Sequence, residues 1–355
     1  MKKLFSLLLI TVLVFSLIGC KKVVSKDQSN VKENEEISSK DVLTIADYFP
    51  FKENTMMEYE GIGNEYAEQT TFMEFIDGNK AQIKIMNSGT VFVKVLEYKN
   101  GALTEVFAEG EFYHIENMLN ANTNVSVTKL KEPLEMGNNW SNEDGSTMEI
   151  TGLNSKIETP SGTYGALEVT TQFKDGGSRK EYYARGIGLV ASISKFENYE
   201  VKTLLEEVNN EKQEIEVLSY YPMANDIGTV YVKEDIEFGT NDSIEEILEN
   251  LMKNPPSNKL LPSISKNTNI NKIHLNRDSW TLEADFSKDL LGDMNAGSAL
   301  EAELLKSIVN TLGKFYDVEK VYITIEGNPY ESGHFGIKPG ESFQVDNSNI
   351  KEFNE

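Results

Sequence analysis

Ile308-Val309-Asn310-Thr311-Leu312-Gly313-Lys314-Phe315-Tyr316-Asp317-Val318-Glu319-Lys320-Val321-Tyr322-Ile323-Thr324-Ile325 passes from one hydrophobic period to another. Upstream, Leu300, Leu304, Leu305, Ile308, Val309, Leu312 and Phe315 recur at helical spacing, a one-sided apolar stripe. Downstream, Val321, Ile323 and Ile325 alternate with Tyr322 and Thr324, the period of a strand. Ser298 with Glu301 predicts a capping box at the helix start.

Working back from this stretch, the same alternation of types repeats. Trp280, Leu282, Ala284 and Phe286 alternate with Thr281, Glu283 and Asp285, and Ile273 and Leu275 flank His274 on a preceding strand. Ile244, Ile247, Leu248, Leu251 and Met252 make another helical stripe, begun by Ser243 and Glu246 and stopped by Pro255-Pro256. Val217 to Tyr221 and Thr229 to Val232 read as strands. Neither helix can bury its stripe alone, so the pattern predicts a two-layer α/β sandwich over 215–345, both helices on one face of a mixed sheet. A polar tail is predicted over 346–355.

From 43 to 210 the chain reads as antiparallel β. Ala81, Ile83 and Ile85 alternate with Gln82 and Lys84, and Val91, Val93 and Val95 with Phe92, Lys94 and Leu96. Turn signals separate the runs: Asp77-Gly78-Asn79, Asn100-Gly101, Asp144-Gly145 and Asp175-Gly176-Gly177. Strands this short and numerous predict one twisted sheet curling into a barrel or half-barrel. A short helix is expected near Phe112 to Asn120. Polarity rises abruptly over Glu206 to Glu214, which places a domain boundary near 210. The whole is an α+β multidomain chain.

The front of the chain has its own logic. Lys2 and Lys3 precede an apolar run from Leu4 to Ile18, then Gly19 and Cys20, the one cysteine of the sequence. A basic head, an apolar run and a small residue before the cut are the parts of a secretory signal. The run is shorter than the ~20 residues a spanning helix needs. Leu17-Ile18-Gly19-Cys20 resembles the lipobox of bacterial lipoproteins. The resemblance implies a signal peptide over 1–19, cleavage between Gly19 and Cys20, and acyl chains, palmitate among them, carried through the Cys20 sulfur. Two such chains hold a protein on a membrane where one is marginal. Residues 20–42 are polar and free of aromatic residues, the composition of a flexible tether.

The charge of −23 excludes a broad basic face for nucleic acid. With one cysteine no internal disulfide can form, so each domain is expected to rest on its own core.

Two resemblances add to this reading. Tyr48-Phe49-Pro50-Phe51, Gly137-Asn138-Asn139-Trp140 and Tyr182-Tyr183-Ala184-Arg185-Gly186-Ile187-Gly188 look like strands of exported bacterial β-domains with a lipocalin-like or lipoprotein-carrier-like shape. That implies fold alone. The second concerns about a third of the chain. Ser219-Tyr220-Tyr221-Pro222, Leu251 to Pro256, Leu261-Pro262-Ser263, Trp280 to Ser287 and the opening stretch resemble, in order and spacing, the GerMN domain of sporulation and spore-germination proteins. Asn254 stands where that family usually has glycine. The resemblance implies an envelope protein of Gram-positive, spore-forming bacteria and an assembly module without established catalytic residues. Asn310 and Thr311 are expected to hydrogen-bond structurally, back to a carbonyl or across to a loop.

For chemistry the sequence offers little. His114, His274 and His334 form no metal-binding spacing, and no phosphate loop or nucleophile elbow is present. Ser332-Gly333-His334 puts a nucleophile beside a base, but working triads converge from distant positions. The expectation is therefore a non-enzymatic lipoprotein without metal or cofactor. It sits on the extracytoplasmic face of the cell membrane, tied by Cys20, with envelope proteins as partners. The alternative is an extracytoplasmic protein holding an apolar or wall-derived ligand in its β-domain, at residues the sequence does not identify.

Overall fold

The computed structural model describes residues 43–354. Gly19, Cys20, the signal peptide and the tether lie outside the described residues. Leu43–Glu355 is one compact unit. No described helix is long and apolar enough to cross a membrane.

A four-residue helix, α1 (Ile45–Tyr48), leads into twelve antiparallel strands. They are β1 (Thr55–Ile62), β2 (Gln69–Asp77), β3 (Lys80–Asn87), β4 (Val91–Lys99), β5 (Ala102–Gly110), β6 (Val127–Lys131), β7 (Asn139–Ser141), β8 (Thr147–Thr159), β9 (Gly162–Gln172), β10 (Ser178–Ala184), β11 (Gly188–Lys195) and β12 (Glu200–Asn210). Their order, β6-β5-β4-β3-β2-β1-β12-β11-β10-β9-β8-β7, leaves β6 and β7 as the edges. Side chains bridge these edges. The Trp140 indole donates to the Thr128 carbonyl at 2.9 Å, and Thr128 N–H donates to Asn142 Oδ1 at 2.9 Å. The sheet is thus nearly closed into a barrel, its last seam stitched by side chains.

One end of the lumen is filled. Ile45 and Tyr48 of α1, with Phe49 and Phe51, pack against Leu96, Leu103, Leu130, Trp140, Ile150, Leu167 and Tyr183. Ile45 N–H donates to Glu132 Oε1 and Gly186 N–H to the Asp47 carbonyl, which fixes this plug to the wall.

The C-terminal part begins with a hairpin, β13 (Gln213–Pro222) and β14 (Thr229–Phe238). It continues through α2 (Ile244–Lys253), β15 (Ile270–Asn276), β16 (Thr281–Phe286), α3 (Asp289–Gly292), α4 (Ser298–Phe315), β17 (Lys320–Ile325), β18 (Asn328–Pro329) and β19 (Phe343–Gln344). β15 pairs antiparallel to β16, β16 parallel to β17, and β18 and β19 antiparallel to β17, so this sheet is mixed. The β13–β14 hairpin stays outside it. α4 lies against both β13 and β17, which buries Ser307, Asn310 and Thr311 along with Leu305, Ile308, Val309 and Leu312, and leaves Leu300, Leu304 and Phe315 half-buried. Thr311 Oγ1 accepts from Tyr220 N–H at 2.9 Å, and Asn310 exchanges hydrogen bonds with the backbone of Asp346 at 2.8 and 2.9 Å. Both side chains thus bond across to neighbouring segments. At Gly313 a Cβ would come within 2.3 Å of the Val345 side chain, so only glycine lets that segment pass.

Four local readings are revised, the first being Tyr48–Phe51, which is not a strand but the end of α1 followed by irregular backbone. The Phe112–Asn120 stretch is not helical: its apolar residues Phe112, Ile115, Met118 and Leu119 are buried on irregular backbone. Side chains of β3 take the place of helical bonds, with Gln82 donating to the Glu116 carbonyl, Lys84 to His114 and Lys80 to Leu119. The Ser298–Glu301 box does not form; Gly297 is the N-cap, and Glu301 turns to Tyr330 and His334. The tail is docked in part, since Tyr231 N–H donates to Lys351 O and Phe353 N–H to Tyr231 O.

The two parts do not keep separate cores. Phe72, Phe75, Val93, Val95 and Phe107 of the barrel pack with Phe112, Ile115 and Met118 and with Phe238, Leu248, Ile273, Leu275, Leu312 and Tyr316 in one cluster. Alternation explains it: Val93 and Val95 face this joint, while Lys94 and Leu96 line the lumen.

Candidate functional site

The unfilled half of the barrel holds a cavity of about 360 Å³. That lies within the range usual for small-molecule sites. Strand alternation selects its walls. β1 contributes Met57 and Tyr59, and β3 contributes Ile83 and Ile85. On β10 the residues at every second position, Arg179, Glu181 and Tyr183, reach the cavity.

The lining divides by chemistry. β1 to β3 give Met57, Tyr59, Met73, Ile83 and Ile85, interspersed with the uncharged polar Thr55, Gln69 and Thr71. The charged groups gather near the seam, on β4, β5, β6 and β10. Lys94 pairs with Glu105 at 2.9 Å, and Lys129 of β6 reaches Glu181 of β10 at 3.0 Å. Arg179 Nε donates to Ser194 Oγ at 3.0 Å, and its guanidinium lies 5.3 Å from the Phe173 ring centre. Burial pushes the Glu181 carboxyl up, but the charges of Lys129 and Arg179 outweigh it and hold the group below the usual range. Burial raises the Tyr59 and Tyr183 hydroxyls, so both stay protonated; Tyr59 OH donates to the Leu189 carbonyl at 2.9 Å. The arrangement can bind and orient a molecule with a polar end and an apolar end.

The histidines lie elsewhere. His114 is buried at the joint, stacked between Phe112 and Tyr316, and His274 is exposed, as its alternation implied. Both face Glu116, at 3.5 and 3.4 Å, and Arg277 reaches Glu116 at 2.9 Å. Ser332 Oγ accepts from the N–H groups of His334 and Phe335, a turn within its own loop, while His334 Nδ1 faces Glu301 at 2.6 Å. Among the described residues no group of three His, Cys, Asp or Glu is placed to hold a metal ion.

Sequence reasoning left the ligand site open, and the cavity residues explain why. Lys94, Glu105, Lys129, Arg179 and Glu181 look like a solvated strand face until the sheet is known to close around them. The one available signal was parity, since Arg179 and Glu181 share a face with the aromatic Tyr183.

Comparison with known proteins bears on the C-terminal part first. Residues 218–331 match the Germane family, described as sporulation and spore germination. Among solved structures, the tandem GerMN domains of the sporulation protein GerM from Bacillus subtilis are similar at 20% identity and a TM-score of 0.29. That similarity covers 37% of this chain and 46% of that one, so the chain spans under half of the tandem. An exported protein with a YmcC-like fold from Bacteroides fragilis is similar at 11% identity and a TM-score of 0.31, over 46% of this chain and 98% of that one. A protein described as a lipoprotein, from Parabacteroides distasonis, is similar at 18% identity and a TM-score of 0.27, over 46% and 98%. No curated protein matches the sequence.

Proposed function

We propose that the chain is a non-catalytic envelope protein, held at the extracytoplasmic face of the membrane by acyl chains on Cys20. Its GerMN-like module serves protein assembly during sporulation or germination. The observation that supports this is the family match across 218–331, the part that also carries Ile227 and Trp280 as exposed apolar side chains, 76% and 49% accessible. The test is photo-crosslinking in sporulating cells with benzoylphenylalanine at Ile227 or Trp280. A discrete protein adduct is expected at one or both positions, lost when Cys20→Ser releases the chain from the membrane. Absence of any adduct at both positions, or an adduct unchanged by Cys20→Ser, overturns the proposal.

A second reading is favoured by one specific feature, the barrel cavity. On that reading the β-domain holds an apolar or wall-derived ligand outside the cytoplasm. The two readings are compatible, since cavity and module lie on different sides of the barrel wall.

A further inference from the structure

The cavity walls say more than that a ligand fits. Among five charged side chains lining it, two pairs are internally matched, Lys94 with Glu105 and Lys129 with Glu181. Arg179 is the remainder. Among the described residues no carboxylate comes within 4.0 Å of it; it touches the Ser194 hydroxyl and the Phe173 ring, and Glu181, already bonded to Lys129, lies near enough to feel its charge. Arginine presents a planar fork of donors suited to phosphate or carboxylate, and Ser194 uses only one of them. The sign of this excess is notable in a chain with 57 acidic and 34 basic residues. The surface repels anions, whereas the cavity carries a surplus cation.

Glu181 supplies the second observation. It is 5% accessible, and Lys129 satisfies Oε1. Oε2 is buried and has no hydrogen-bond partner among the described residues. A buried carboxylate oxygen calls for a donor. Opposite these groups, Met57, Tyr59, Ile83 and Ile85 form a wall that calls for hydrocarbon.

We propose that the barrel binds a single-chain anionic amphiphile. Its anionic group lies against Arg179, a hydroxyl beside that group donates to Glu181 Oε2, and its chain runs along the β1–β3 wall. The volume, near the lower end of the range for small-molecule sites, favours one chain over two. This inference rests on the ligand-holding reading above and specifies its ligand.

Calorimetry on residues 43–355, the one compact unit, tests it with ten-carbon probes below their micellar concentrations. Decyl phosphate should bind one to one, at least tenfold tighter than decanol, with decyltrimethylammonium weaker still. Decanoate separates a fatty-acid source from a phosphate-headed lipid source; tighter binding of either anion than of decanol supports the anion site. The glycerol ester of decyl phosphate, which adds hydroxyls, should bind more tightly than decyl phosphate. Arg179→Met should bring decyl phosphate to the level of decanol while decanol binding and the melting temperature persist, and Arg179→Lys should restore part of the difference. Equal affinity for all the probes, or no effect of Arg179→Met, overturns the anion assignment and leaves an apolar ligand site standing. No gain from the glycerol ester overturns the Glu181 contact. If no probe binds, the ligand-holding reading falls as well.

Discussion

Lys84 shows how far a single residue can depart from its local pattern. By alternation with Ala81, Ile83 and Ile85 it reads as a solvent-facing lysine, as does Gln82. Both are buried: Lys84 pairs with Glu74 at 2.8 Å, and the two side chains are 3% and 0% accessible. Gln82 Nε2 donates to Glu74 Oε2 at 2.7 Å, while Gln82 Oε1 accepts from Met118 N–H at 2.7 Å. The sequence shows the parity of β3 but not that the outer face of a barrel will be covered by a segment thirty residues later. The covering segment, Phe112 to Leu119, was legible as apolar; its lack of helix was not, because the groups replacing its helical bonds lie on another strand. Lys84→Met should therefore be severe. It leaves the buried Glu74 carboxyl without its cationic partner and removes the donor to the His114 carbonyl, and breaking such a pair costs about 3–5 kcal/mol. The paired change Glu74→Gln with Lys84→Met should recover part of that. Urea unfolding of both variants checks it; equal stability of wild type and Lys84→Met would remove the buried pair from the account.

At the scale of elements, agreement was best where a local cap and a one-sided stripe coincide. α2 starts where Ser243 predicts, and Ser243 Oγ accepts from Glu246 N–H at 3.2 Å. At its far end Asn254 has φ of −126° and closes the helix by donating from its side-chain amide to the Asn250 carbonyl at 2.8 Å. Ser243→Ala should cost about 0.5–2 kcal/mol and Ser243→Asp should cost little, since aspartate also caps and favours the helix dipole. Denaturant midpoints of the two variants decide this. α4 runs over Ser298–Phe315 as its stripe predicts, but the burial of Glu301 was not legible. Glu301 is held by Tyr330 at 2.8 Å and by His334, contacts that depend on a loop with no periodic pattern. The barrel strands were legible as a class, but their closure was not. Closure depends on Trp140, Asn142 and Thr128 meeting across the seam, three residues whose sequence spacing carries no such signal.

For the molecule as a whole, the decisive feature is the joint. The polarity of Glu206 to Glu214 marks a change of architecture at Asn210–Gln213, yet the core runs across it. A domain that shares its apolar wall with a neighbour cannot unfold without exposing that neighbour's wall to water. One calorimetric transition is therefore expected for residues 43–355, with van't Hoff and calorimetric enthalpies in agreement. Phe107→Ala, in the barrel wall at the joint, should lower that single transition by about 3–5 kcal/mol of stability without splitting it. Acid should act at the same place. Burial pushes Glu116 up, but hydrogen bonds and charge from His114 and Arg277 outweigh it and bring its carboxyl down to about 2, against an ordinary 4.5. A folded value below the unfolded one means stability that is fully present above pH 5 and lost as pH falls toward 2. Glu116→Gln should therefore flatten the decline in melting temperature between pH 5 and pH 2.5. Asp285 and Asp346, also held below their ordinary value, should preserve the remainder of that decline. Two resolved transitions in the wild type, one per architecture, would show instead that the joint is a contact between independent domains. In that case Glu116→Gln should move only one of them.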